Sequence, residues 1–146
     1  MNARNATMAS SKGNATAYWI FTGLFALQMG WTAYAQLSLP QVAQVFVHLG
    51  FPNYFRVELC VAKLVGIVVL LAPMVPAVVK EWAYAGFAIV LGSALIAHLA
   101  VGDGVAAWIW SVGTFVLEAL SYFFYRRQAH PGKAAIPSRT EARAAA

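Results

Sequence analysis

Four ionisable side chains interrupt otherwise apolar runs of this sequence: Glu58, Lys63, His98 and Glu118. Gln28 and Gln36 add amide groups in the first run, and Asp103 sits in a Gly-Asp-Gly turn just beyond His98. Carboxylates and a histidine can move protons as general acids and bases. A lysine or an amide can donate a hydrogen bond to a ligand oxygen. An ionisable group placed in hydrocarbon costs a few kcal/mol on insertion scales, so such groups turn inward and pair, and they are candidates for function. With a rise of about 1.5 Å per residue, Glu58 and His98 lie near one end of their helices. Lys63 lies roughly 12 Å in, level with Gln28, and Glu118 roughly 20 Å in. The expectation is a polar pocket in which Glu58 meets His98, and Lys63 meets Gln28 or reaches towards Glu118. Glu58 and Lys63 are five residues apart and point in different directions, whereas Arg56, Cys60 and Lys63 share one helix face.

Other chemistries find no support. Cys60 is the one cysteine, which removes dithiol redox chemistry and a disulfide scaffold. The spacing of His48 and His98 gives no sign of a two-histidine metal site, so no metal is expected, and a bis-histidine haem lacks its second ligand within a span. Phosphate loops, dinucleotide fingerprints and serine nucleophile motifs are absent.

The elements that position these residues follow from composition. Of 146 residues 61% are hydrophobic and 10% charged, and the 43 positions between Lys12 and Arg56 carry no charge. A soluble domain has about 25% charged residues, so the expected solvent is a bilayer. Four runs are long enough to span, at about residues 18–37, 54–72, 82–101 and 105–125. Residues 1–17 read as a flexible cytoplasmic segment and 126–146 as a basic cytoplasmic tail. The start of the chain also has the outline of a secretory signal, with Lys12, an apolar stretch and Ala33-Tyr34-Ala35; it is read here as the first span. Residues 42–49 are too short to span and read as an interfacial or re-entrant segment closing one end. Pro40, Pro52, Pro73 and Pro76 and the Gly50 and Gly102 turns separate the runs. The net charge of +5 comes largely from Arg126, Arg127, Lys133, Arg139 and Arg143. That tail is a topology signal and an anionic-lipid contact, not a nucleic-acid surface, and it places both termini in the cytoplasm. The fold class expected is an all-α, antiparallel four-helix membrane bundle.

The order of short motifs carries a resemblance. His48-Leu49-Gly50-Phe51-Pro52-Asn53-Tyr54-Phe55 is followed by Ala62-Lys63-Leu64-Val65-Gly66 and by Leu71-Ala72-Pro73. Then come Lys80-Glu81-Trp82-Ala83-Tyr84-Ala85-Gly86-Phe87 and His98-Leu99-Ala100-Val101-Gly102-Asp103-Gly104. From Tyr18 to Tyr125 the chain resembles the DoxX-like family of small bacterial membrane proteins. The resemblance implies a multi-pass protein of the bacterial inner membrane. Lys63, Gly66, Glu81, His98 and Asp103 match its motif positions, without a catalytic role attached to any. The family takes its name from a membrane subunit of a thiosulfate:quinone oxidoreductase.

The first functional reading is a membrane component that binds a small hydrophobic molecule such as a quinone and serves a redox partner protein. Gln28, Lys63, His98 and Asp103 are its candidate ligand-binding residues. The second is an enzyme acting on a lipophilic substrate through acid-base chemistry at Glu58, His98 and Glu118. The third is a small transporter or structural subunit, in which the polar groups hold helices together and a homo-oligomer forms the working unit.

Overall fold

A computed structural model describes residues 3–129, with side chains described from 13 to 128. Residues 1–2 and most of the expected basic tail, including Lys133, Arg139 and Arg143, lie outside the described residues. Among the described residues the chain is all-α: α1 (Ala3–Ser38), α2 (Pro40–His48), α3 (Asn53–Leu71), α4 (Ala77–Ala100) and α5 (Val105–Ala129). The helix containing the first apolar run begins at Ala3, so the segment expected to precede it is the first part of the same helix.

Prolines and glycines set the boundaries. A residue before proline is driven out of the helical region. Leu39 is accordingly extended (φ −100°, ψ 116°), and Pro40 opens α2 at its first turn, where its missing N–H costs nothing. Ala72, before Pro73, ends α3 in the same way (φ −73°, ψ 119°). The ends of α2 and α4 are a matched pair. Gly50 and Gly102 take positive φ of 79° and 78°. Phe51 N–H then donates to the Phe46 carbonyl at 2.8 Å, and Asp103 N–H to the His98 carbonyl at 3.0 Å, closing a Schellman turn at each helix end.

The four long helices pack in the cyclic order α1, α3, α4, α5, and α2 lies against α1 and α3. Their contacts run in opposite directions along neighbouring helices. On α1 and α5, Tyr18 meets Tyr125 and Gln28 meets Thr114. On α4 and α5, Glu81 meets Arg126. The apolar core is Tyr18, Phe25, Met29, Leu70, Tyr84, Phe87, Leu91 and Tyr125. Phe25 and Phe87 pack edge to face with centroids 5.0 Å apart. Gly66 admits the Phe87 ring, since a Cβ there would stand 2.7 Å from it.

The outside is apolar. Leu27, Val47, Ile89, Ile96 and Val68 are among many large hydrophobic residues that face outward, while Thr22, Gln36, Lys80, Thr114, Glu118 and Ser121 are buried. A soluble monomer rarely exposes apolar patches of this extent. Two helices, Ala77–Ala100 and Val105–Gln128, are long and apolar enough to cross a membrane by length and composition. Of the other two expected spans, α1 is less apolar because Thr22, Gln28 and Gln36 dilute it, whereas α3 is as apolar as α5 but carries three charged residues, Arg56, Glu58 and Lys63.

Gly66→Ala forces its Cβ into a buried ring and is expected to destabilise by about 1–3 kcal/mol. Gly86→Ala meets nothing within 4 Å and is expected to be neutral or stabilising. Thermal unfolding of both variants in detergent checks the difference.

Candidate functional site

The polar side chains fall into three groups, each made by the meeting of particular helix faces. The first lies between α1 and α3. Gln36, 2% exposed, accepts from Lys63 Nζ through its Oε1 at 2.6 Å, and its Nε2 donates to the Arg56 carbonyl at 3.4 Å. Arg56 Nη1 donates to the Gln36 carbonyl, one of the last carbonyls of α1, which no helical N–H can reach. Cys60 Sγ donates to the Ala33 carbonyl at 3.4 Å. Arg56, Cys60 and Lys63 thus occupy the common face expected from their spacing, and α1 covers it. Lys63 meets Gln36, not Gln28 or Glu118. Hydrogen bonds to charged groups are worth about 1.5–3 kcal/mol, so this seam fixes the register of α1 against α3.

The second group sits where α2 and α4 end. Asp103 Oδ1 is 2.9 Å from His48 Nε2 and its Oδ2 is 2.7 Å from His98 Nδ1. The Schellman turn brings the Asp103 side chain back over His98, a polar version of the apolar contact such turns usually carry. Hydrogen bonds from His98 and His48 hold the Asp103 carboxyl below the usual carboxylate range. His98 is therefore engaged by Asp103 and not by Glu58, which is exposed on α3. The convergence of His48 with His98 has a sequence signal that spacing along the chain misses: each histidine stands in the last turns of a helix that a glycine closes, and both ends lie on one side of the fold. Among the described residues no three His, Cys, Asp or Glu side chains are arranged to hold a metal ion.

The third group lies among α1, α4 and α5. Ser121 Oγ is 2.7 Å from both Thr22 Oγ1 and Tyr84 OH. Glu118 is 4% exposed, one turn along the same face, against Tyr84 and the Ala88 backbone. Further along, Gln28 Nε2 donates to Thr114 Oγ1 at 2.9 Å, and Thr114 Oγ1 donates to the Trp110 carbonyl at 2.9 Å. At the opposite end the Leu70 carbonyl, stranded where Pro73 stops α3, accepts from Lys80 Nζ at 3.3 Å and Tyr18 OH at 3.4 Å. Among the described residues no buried side-chain nitrogen or oxygen lacks a partner.

Two adjoining cavities open along the α1–α5 seam. One of about 210 Å³ is lined by Gln28, Ile109, Trp110, Gly113, Thr114 and Leu117. The other, of about 530 Å³, is lined by Leu24, Leu27, Gln28, Trp31, Trp110 and Leu117. Gln28, Trp110 and Leu117 belong to both, so the two form one groove with apolar walls and an amide–hydroxyl pair at its base. Of the residues predicted from sequence, Gln28 lines this groove; Glu58, Lys63, His98, Asp103 and Glu118 do not. Trp31 and Trp110 form part of its wall. Glu118 lies level with Ala88 on α4 and His98 is ten residues further on, about 15 Å away along the helix. The three expected acid-base residues therefore do not converge.

Comparison with known sequences matches residues 20–121 to the profile of the DoxX-like family. Neither the curated proteins nor the solved structures give a significant match.

The depressed Asp103 gives a pH prediction. A carboxyl whose folded value lies below its unfolded one contributes stability above the ordinary carboxylate pKa of about 4, and that contribution is lost as pH falls through the folded value. The melting temperature should drop on acidification through that window. Asp103→Asn should melt lower at neutral pH and show a shallower acid dependence. Melting curves from neutral pH to below the carboxylate range measure both.

Proposed function

The chain belongs to the DoxX-like family, and on that premise we propose that it is a four-span membrane protein holding a small hydrophobic molecule in the α1–α5 groove. The single observation that carries this reading is the groove itself. It is a lateral cleft with apolar and aromatic walls and, at its base, the Gln28 amide and the Thr114 hydroxyl. Binding sites for apolar molecules have this composition, with a few polar groups to fix orientation. Trp31 and Trp110 supply aromatic wall for a planar ring, and the Gln28 amide supplies a donor for an oxygen on that ring. A quinone has both features. Because a quinone changes oxidation state only with an electron source, the reading includes a redox partner protein.

The outward apolar surface supports immersion in a bilayer, where all four long helices cross. Gln36 of α1 and Arg56 and Lys63 of α3 face one another and not the lipid, Thr22 and Gln28 of α1 face α5, and Glu58 is the exposed exception. The count of Lys and Arg supports placing both termini, and the Lys80–Glu81 end of α4, in the cytoplasm of a bacterial inner membrane.

Titration of the detergent-solubilised protein with a short-chain benzoquinone, read by tryptophan fluorescence, tests the site. Saturable quenching is expected. Gln28→Leu should weaken it about 2- to 10-fold, the worth of one neutral hydrogen bond. Gly113→Leu should abolish it by filling the smaller cavity, where an added Cβ meets nothing within 4 Å. Quenching that rises without saturation, or that ignores both substitutions, would rule the groove out.

A further inference from the structure

The buried polar groups of α5 continue beyond the groove. Thr114, Glu118, Ser121 and Tyr125 follow at intervals of four, three and four residues, which is one helix face, and all four are buried. They span about 16 Å of helix. At one end Thr114 lines the groove and accepts from Gln28. Towards the other end Ser121 joins Thr22 of α1 and Tyr84 of α4 at 2.7 Å each. The Tyr84 ring stands edge-on to Tyr122 with centroids 5.2 Å apart. Tyr122 is half-buried and lies beside the exposed Arg126–Glu81 ion pair. Glu118 stands one turn from Thr114 and one turn from Ser121, about 5–6 Å from each.

We infer that this file carries protons from the Arg126–Glu81 end of the molecule to the α1–α5 groove, with Glu118 as the carrier between Ser121 and Thr114. The Glu118 carboxylate takes a proton from Ser121 Oγ. Ser121 is refilled from Tyr84 OH in the same movement, and Tyr84 takes a proton from a water molecule entering past the half-buried Tyr122, the hydroxide left behind being neutralised by solvent. The carboxylic acid swings one turn along α5 and gives its proton to an oxygen of the groove's occupant, returning as carboxylate. One proton moves, and every hydroxyl ends with the proton count it started with. The groups facing Glu118 are Tyr84 and the Ala88 backbone of α4, with Ser121 and Thr114 on its own helix. The nearby cation at the aqueous end, Lys80, is held by the Leu70 carbonyl. What the proton is used for rests on the proposed ligand, but the path does not, and its test needs no ligand.

The test is infrared spectroscopy of the full chain in detergent at a pH where carboxyl groups are protonated, followed after transfer into D₂O. The carboxyl C=O band missing from Glu118→Gln identifies Glu118. The path predicts that this band shifts promptly in D₂O although the residue is only 4% exposed. Tyr84→Phe, which removes one oxygen and keeps the ring, should slow the shift by about tenfold or more, as should Ser121→Ala. Melting temperatures taken alongside identify any variant that has loosened, and Tyr84→Phe then decides. A Glu118 band that fails to shift over hours in the native protein would overturn the path. So would a band that shifts as fast in folded Tyr84→Phe and Ser121→Ala as in the native chain, which is what a purely structural role for the hydroxyls would give.

Discussion

A helix whose outer face meets hydrocarbon has only its neighbours to satisfy its polar groups. Most of this architecture follows from that requirement. The long helices give most outward positions to leucine, isoleucine, valine and aromatic residues, and turn most of their few polar side chains towards a partner, Glu58 on α3 being the exposed exception. Gln36 takes Lys63, Ser121 takes Thr22 and Tyr84, Thr114 takes Gln28, and the stranded Leu70 carbonyl takes Lys80 and Tyr18. The apolar core between these seams is small, centred on Phe25, Phe87 and Leu70. Hydrogen bonds set the pairing and register of the helices, and apolar packing fills the space between.

The same constraint separates the polar residues by task. The Gln36–Lys63–Arg56 seam is paired within the protein and lies apart from the α1–α5 groove, which marks it as a fastening between α1 and α3. The His48–Asp103–His98 cluster ties two helix ends together and gives the His98-to-Gly104 motif a structural purpose. Its glycine supplies the left-handed turn, and its aspartate reaches back to the histidine and across to α2. The Gln28–Thr114 pair differs from both because it borders open space.

Much of the fold was legible in the sequence. Prolines and glycines marked the boundaries between successive helices, and the run lengths gave four long helices with a short segment after the first, while the start of α1 at Ala3 was not marked. Face geometry placed Arg56, Cys60 and Lys63 together. The pairings were less legible. Depth estimates brought Glu58 to His98 and Lys63 to Gln28, because residues at similar depth are candidates to meet. Rotation about the helix axis decides among such candidates, and it depends on which neighbours a helix acquires. Glu58 turned outward, and Lys63 found Gln36. His48 was passed over because it lies 55 residues from Asp103 in sequence. Thr22, Thr114 and Ser121 were missed because short hydroxyl side chains do not break an apolar run, yet they form the polar interior.

As spans, α1 and α3 must cross the bilayer with their apolar faces turned to lipid, despite their polar content. Spin labels at Leu27→Cys on α1 and Val65→Cys on α3, with Cys60→Ala to leave a single thiol, test this in liposomes. Collisions with membrane-dissolved oxygen should broaden both labels, while a water-soluble nickel complex should barely reach them. Ready access of the nickel complex to either label, with oxygen access no higher than in water, would contradict it.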